Sequence, residues 1–486
     1  MHSESLFPSG LCSRRHFLGA NAFGLGSTAL AWMLQRDGLL AEPARPELEQ
    51  RRYDLTPKPS HHPAKARAMI SILMIGGPSQ MDLFDPKPLL KEYEGKKFPG
   101  ELKFDNAGQA SAKVLPSFWE FRKHGQSGTE LSSLLPCLAD VVDDLCVVRS
   151  MKTGVNNHGQ SLYALSGGRI TSGAPTLGSW INYGLGCESQ ELPAYITLTH
   201  PNGTPLLVDQ HWTNGWLPSL YQGTMIRPRE PRILNLDPAP HLRGAAQEKQ
   251  IELLRELNLA HQSEHPGEND LSARIASYEL AARMQTAAKE AMDISNESEA
   301  TRRLYGVDHE LTRDYGTRCL IARRLVERGV RFVQIVNNGQ SWDQHSGLIK
   351  ALPDLCVRSD QPVAALIKDL KANGLLDSTL VHWGGEMGRL PVMQNDLGKE
   401  KVGRDHNTYG FTIWLAGGGI RGGMTFGETD EWSHQAVKDV VTHHDYHATL
   451  LHLFGLDHTK LIYRRAGREL TLTDKKPARV VREILA

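Results

Sequence analysis

The sequence predicts an α/β fold: a three-layer sandwich with a mainly parallel central sheet and a helical insertion. Three observations carry this. Six short runs are apolar at successive positions, as strands buried on both faces are. Segments with helical spacing of apolar residues lie between and after them. Most of the runs also exit into glycines or polar clusters, where a strand hands over to a loop. Strands alternating with helices imply helices on the faces of a parallel sheet.

In chain order, the N-terminal segment 1–40 contains "SRRHFLGANAFGLGSTALAWML", with Arg14 and Arg15 ahead of a Gly/Ala-rich apolar stretch. The S-R-R-x-F-L pattern is that of a twin-arginine export signal. Export machinery is thus an expected partner, and the expected location is periplasmic or secreted. The apolar stretch is of marginal length and broken by glycines, so no permanent membrane span is expected. Possible processing lies near "LLAEPA". Residues 41–66 are Pro-rich and charged and read as a linker, leaving 67–486 as the folded domain.

The six strands are "AMISILMIGG", "DDLCVVRSM", "PAYITLT", "VRFVQIVNN", "STLVHWGGE" and "FTIWLAGGG". The helix-rich region falls at about 245–328, between the third and fourth. "QPVAALIKDLKANG" reads as an amphipathic helix stopped by Gly374, and "HATLLHLFGL" as a short final helix. With 486 residues, 40% of them hydrophobic, the chain can bury a large core. Lys+Arg and Asp+Glu both number 55, so nothing favours nucleic acid as a partner. The six cysteines form no C-x-x-C pair, which argues against a zinc-finger or disulfide framework.

In such a sheet ligands bind beyond the carboxyl ends of the strands. The fourth strand runs into "NNGQSWDQHSG", where Asp343 and His345, two apart, can converge on one ion. Alone, D-x-H describes many solvated loops equally well. The fifth strand, however, ends in "WGGEMGR", placing Glu386 between glycines, and "GRDHNTYG" sets Asp405 and His406 just before the sixth. Carboxylates and imidazoles at neighbouring strand ends, without a thiolate, suit a divalent ion: Zn, Mn, Mg or Ca. Such an ion would polarise a phosphoryl or sulfuryl oxygen, or lower the pKa of a bound water. "HHDYH", with His443, His444, Asp445 and His447, also looks rich in ligands. It immediately precedes a helix, where capping and packing account for it better.

The order of these signals resembles the alkaline phosphatase and sulfatase superfamily. More closely, the chain resembles a family of exported bacterial sulfatase-like proteins, the domain of unknown function 1501. The stretches that carry the likeness are "SILMIGGPSQMDLFDPKP", "RSMKTGVNNHGQSLYALSGG", "FVQIVNNGQSWDQHSG", "LVHWGGEMGRLP", "GRDHNTYGFTIWLAGGGIRGG" and "HHDYHATLLHLFGLDHTKL". The resemblance implies an alkaline-phosphatase-like fold and a metal site at Asp343, His345, Glu386 and His406. The superfamily's first-strand aspartate is Gly77 here, and Asp82 is the nearest candidate substitute, followed by Asp85. The nucleophile position is Asn157, followed by His158; no C-x-P-S-R occurs, which excludes a formylglycine. An amide cannot form the covalent intermediate; His158 could act as a nucleophile or as a ligand, and Asn157 and His158 are otherwise expected either to orient substrate and stabilise charge or to cap the helix. The implied function is metal-dependent hydrolysis of a small-molecule or glycan phosphate or sulfate ester by activated water. The alternative is a non-catalytic envelope protein binding sulfated or phosphorylated glycans.

Overall fold

The structure, a computed structural model, describes residues 53–102, 109–265 and 268–486, together with 30, 32–34, 36 and 37. The twin-arginine motif and the possible processing site lie outside the described residues. Two compact units are distinguished, one of residues 1–51 with 264–268 and one of 52–263 with 269–486. In the first, residues 30, 32–34 and 36 are helical. Among the described residues no helix is long and apolar enough to cross a membrane.

The second unit is built on a nine-stranded sheet. Its strands are β1 (Ala68–Leu73), β2 (Leu145–Lys152), β3 (Tyr195–Leu198), β4 (Thr224–Ile226), β5 (Phe332–Val336), β6 (Thr379–Gly384), β7 (Phe411–Ala416), β8 (Met424–Phe426) and β9 (Val441–Thr442). The spatial order is β8-β2-β7-β6-β1-β5-β3-β4, with β9 also paired to β2. All pairings are parallel except those of β7, which runs antiparallel to both β2 and β6. β1, β3, β5, β6 and β7 are buried at every position, which is why their sequences are predominantly apolar on both faces.

The larger helices are α1 (His158–Gly167), α2 (Leu177–Leu185), α3 (Ala245–Glu264), α4 (Asn269–Met292), α5 (Glu299–Tyr305), α6 (Arg313–Glu327), α7 (Leu348–Ala372) and α8 (His443–Leu453). α2 lies so close to β3 and β5 that a Cβ on Gly178 would come within 2.7 Å of the Tyr195 ring and 2.8 Å of Phe332. α1, α2 and α8 share this face with Ser71, Gln334 and His382. The other face carries α6, packed on β5 and β1, with α7 on α6. There Trp383 and Trp414 stack with centroids 6.2 Å apart.

The expected helix at Gln361 is longer than its sequence suggests. α7 begins at Leu348 and runs through both Pro353 and Pro362; burial of its apolar stripe outweighs the backbone bonds that the prolines cannot make. α8 likewise begins earlier, at His443, because Thr442 and Asp445 form a capping box. The stretch 53–66, expected as linker, is part of the packed unit. Tyr53 and Leu55 are buried, the Cys187 amide donates to the Leu55 carbonyl at 2.8 Å, and the Lys58 amide to the Leu185 carbonyl at 2.9 Å. Two apolar side chains and these bonds fix a segment whose composition is otherwise that of a spacer.

Candidate metal centre

The carboxyl edge of the sheet gathers the exits of β1, β2, β5 and β6. β7 is reversed, so it contributes its start to that edge, and residues preceding it arrive beside residues following the others. A two-residue antiparallel ladder fixes the arrival, pairing His406–Asn407 with Gly388–Arg389. The β5 exit is tied to the β1 exit by the Trp342 amide donating to the Ile75 carbonyl at 3.1 Å. Their approach requires glycine: Gly76 has φ +113°, and a Cβ there would stand 2.5 Å from the Asp343 amide nitrogen. The same crowding at Gly77, 2.8 Å from Met387, leaves no room at the first strand's exit for an aspartate side chain.

His158, Asp343, His345 and His406 meet at this edge, each offering one ligand atom, all within 4.8 Å of one another. Each imidazole turns Nδ1 towards an oxygen that accepts: Glu386 Oε1 for His158 at 2.6 Å, Asn156 O for His406 at 3.1 Å, and Gln394 Oε1 for His345. A proton held at Nδ1 leaves Nε2 as a lone pair. The His345 and His406 Nε2 atoms are 3.0 Å apart, and Asp343 Oδ1 lies 2.9 Å from the first and 3.3 Å from the second. With the protons at Nδ1 alone, these are three acceptors that repel one another, a conflict that a cation among them removes and that, without an ion, Nε2–H donation to Asp343 relieves instead. Donors on a tetrahedral ion at about 2.0–2.1 Å sit about 3.3 Å apart, so the spacing fits.

His158 completes the set, its Nε2 3.4 Å from Asp343 Oδ2. Burial lowers its basicity, but the Asp343 and Glu386 carboxylates outweigh burial and push it up to about 9. Without an ion, a proton on Nε2 therefore occupies part of the site. Asp343 is driven the opposite way: burial would raise it, yet the three imidazoles and the Arg389 guanidinium hold it well below the usual carboxylate range. His406 is lowered, chiefly by burial. His345 is 30% exposed and the other three 15% or less, so the solvent side of the cluster lies at His345.

The remaining expected site residues are placed elsewhere or differently. Asp82 is not with the cluster: fully buried, it accepts from Arg404 Nε at 2.8 Å and Nη2 at 3.2 Å, and from Ser79 Oγ at 2.5 Å. Its carboxylate is consumed in that pair, which corrects the expectation of a ligand. Asp85 accepts from Ser433 Oγ and pairs with Lys87. Glu386 reaches the site but backs His158, and its carboxylate also accepts from the Gly76 amide at 3.0 Å. Asn157 caps α1, accepting from the Gln160 amide at 3.3 Å. Asp405 accepts from the His406 amide at 2.8 Å and lies 3.7 Å from His345 Nδ1. His447 Nε2 donates to the Leu165 carbonyl at 2.7 Å within the core, and no trio of ligand groups forms around it among the described residues.

Sequence reasoning missed Arg389, whose Nη2 donates to Asp343 Oδ1 at 2.6 Å. It also missed the Nδ1 acceptors Asn156 and Gln394. The only available signal was an arginine three residues after Glu386 in the same glycine-flanked exit.

No curated protein matches this chain in sequence. Solved structures similar to it include the lipoteichoic acid synthase LtaP from Listeria monocytogenes, at 10% identity and a TM-score of 0.34, covering 86% of this chain and 78% of that one. The PsFucS1 sulfatase from Pseudoalteromonas sp. has 12% identity and a TM-score of 0.35, with 80% and 68% covered. The alkaline phosphatase from the Antarctic bacterium TAB5 has 9% identity and a TM-score of 0.27, with 74% and 95% covered. At such TM-scores the likeness is loose, and the centre is read from its own geometry. Residues 66–485 match the family model described as protein of unknown function (DUF1501), and the chain belongs to that family.

Proposed function

We propose that the protein hydrolyses phosphate or sulfate esters with a divalent metal ion held by His158, Asp343, His345 and His406. The observation that carries this is the triangle of acceptors at His345, His406 and Asp343, each imidazole held at Nδ1 so that Nε2 faces the others. When bound, the ion supplies an electrophile for an ester oxygen and acidifies a water. The chain's own residues do the rest. Glu386, Asn156 and Gln394 fix the imidazole tautomers, and the exposed edge of His345 leaves the approach for ester and water. The ester class follows from the resemblance of the strand-end motifs to the superfamily. The twin-arginine motif supports a periplasmic or secreted location.

No side chain at the nucleophile position supports a covalent route. Asn157 is engaged as a cap, and Ser161, fully buried, donates to the Val155 carbonyl. The same observation favours a second reading, a non-catalytic protein that binds sulfated or phosphorylated glycans. Purified full-length protein is reconstituted with Zn, Mn, Mg or Ca and screened against sulfate, phosphate and phosphonate esters. Metal-dependent turnover that disappears in H345A supports hydrolysis. Glycan binding without turnover selects the second reading, and failure to retain any ion after reconstitution sinks the metal site.

A further inference from the structure

We propose that Arg389 is a built-in cation that restricts the site to one divalent ion and holds Asp343 in position to ligate it. The inference rests on the metal reading above and adds a stoichiometry and a positioning residue.

Arg389 is fully buried, and each guanidinium nitrogen is engaged. Nε donates to the Gly77 carbonyl at 2.9 Å, Nη1 to the Arg404 carbonyl at 3.1 Å, and Nη2 to the Gly76 carbonyl and to Asp343 Oδ1. One planar group thus ties together the exits of β1 and β5 and the segment entering β7. Its backbone is fixed as well: Gln80 accepts from the Arg389 amide at 2.8 Å and donates to its carbonyl at 2.9 Å. Arg389 also stands opposite His406 in the short ladder, so the two side chains approach Asp343 Oδ1 together.

Two consequences follow. Arg389 holds Asp343 Oδ1, the oxygen that faces His345 and His406, and Oδ2 faces His158 at 3.4 Å, so both carboxylate oxygens are committed to the one cluster. Charge gives the same answer. Asp343, Glu386 and Asp405 are three carboxylates in a site where the last two are fully buried, and among the described residues Arg389 is the guanidinium that reaches Asp343. Their net charge of minus two is cancelled by one divalent ion, whereas a second would leave a buried excess of positive charge. Lysine would keep the charge but lose the fork that reaches several acceptors at once.

The test is a cobalt(II) titration of the full chain, followed by visible absorbance and elemental analysis, for wild type, R389K and H406A. We expect one ion per wild-type chain, with a band that saturates at one equivalent and is lost in H406A. R389K, folded by circular dichroism, should show a shifted band and affinity at least about tenfold weaker, as outer-shell changes do. Two ions per wild-type chain, both lost in H406A, overturn the proposal. So does a folded R389K with the wild-type band and affinity. If R389K does not fold, the wild-type stoichiometry still decides. Absence of any ion in wild type is a different failure, because it removes the metal reading itself.

Discussion

Glu386→Gln isolates the charge behind His158. Glu386 is fully buried, and its Oε1 accepts from both His158 Nδ1 at 2.6 Å and the Gly76 amide at 3.0 Å. A glutamine of the same shape keeps one oxygen able to accept both bonds, so the fold should survive. What it loses is the negative charge that makes His158 a stronger donor of electrons to an ion. Hydrogen bonds to charged groups contribute about 1.5–3 kcal/mol and neutral ones about 0.5–1.5. The difference of roughly 1–2 kcal/mol agrees with the tenfold to hundredfold loss of metal affinity typical of outer-shell substitutions. The assay is competition for zinc against a chromophoric chelator at fixed pH, with thermal unfolding as the control. Glu386→Ala should be worse, because it leaves two buried N–H groups unpaired. Wild-type zinc affinity in a folded Glu386→Gln protein would refute the assignment of His158 as a ligand backed by Glu386.

Asp82→Ala removes one partner of the buried pair with Arg404 and should cost about 3–5 kcal/mol in urea denaturation; the ion count per folded chain should not change, and a lost ion would return Asp82 to the site. Gly76→Ala forces a Cβ to within 2.5 Å of the Asp343 amide at φ +113°; strain of about 1–3 kcal/mol and a weaker cobalt band are expected, and an unaltered band would show that the β1 exit does not position Asp343. His382 and His447 are fully buried and each is lowered to about 3, chiefly by burial. At these two sites the unfolded chain takes up protons below about 6.5 and the folded chain does not, so the pair's contribution to stability should be level above that pH and fall as pH drops towards 3. The slope from this pair is about 2.7 kcal/mol per pH unit. Equal denaturation midpoints at pH 7 and 5.5 would refute this, and His382→Gln should reduce the slope.

The strands were legible because burial on both faces leaves a run that is almost wholly apolar, broken only by Ser71 in Ala68–Leu73 and by Thr412 in Phe411–Ala416. Asp343 and His345 could be singled out because they follow such a run directly. The partners of Asp82 and Arg389 were hidden. Each depends on a contact more than forty residues away, and an isolated acidic or basic residue carries no mark of it. Glu386 was legible as a strand-end carboxylate, but whether it faces an ion or an imidazole depends on how α1 packs. The extent of α7 was obscured by Pro353 and Pro362, since local propensity argues against a helix that tertiary packing sustains.

The reversed β7 has a consequence for the order in which the chain can be finished. It is the plank between β2 and β6, joining the two halves of the sheet, and it lies near the end of the sequence. β1 likewise finds its neighbours only at Phe332–Val336 and Thr379–Gly384. A nascent chain emerging N-terminus first can therefore hold His158 and Asp343 without yet holding a site. Such distant pairings make assembly slow. The four side chains come together only when synthesis has passed Ala416, so the cluster belongs to the finished protein and not to a nascent intermediate.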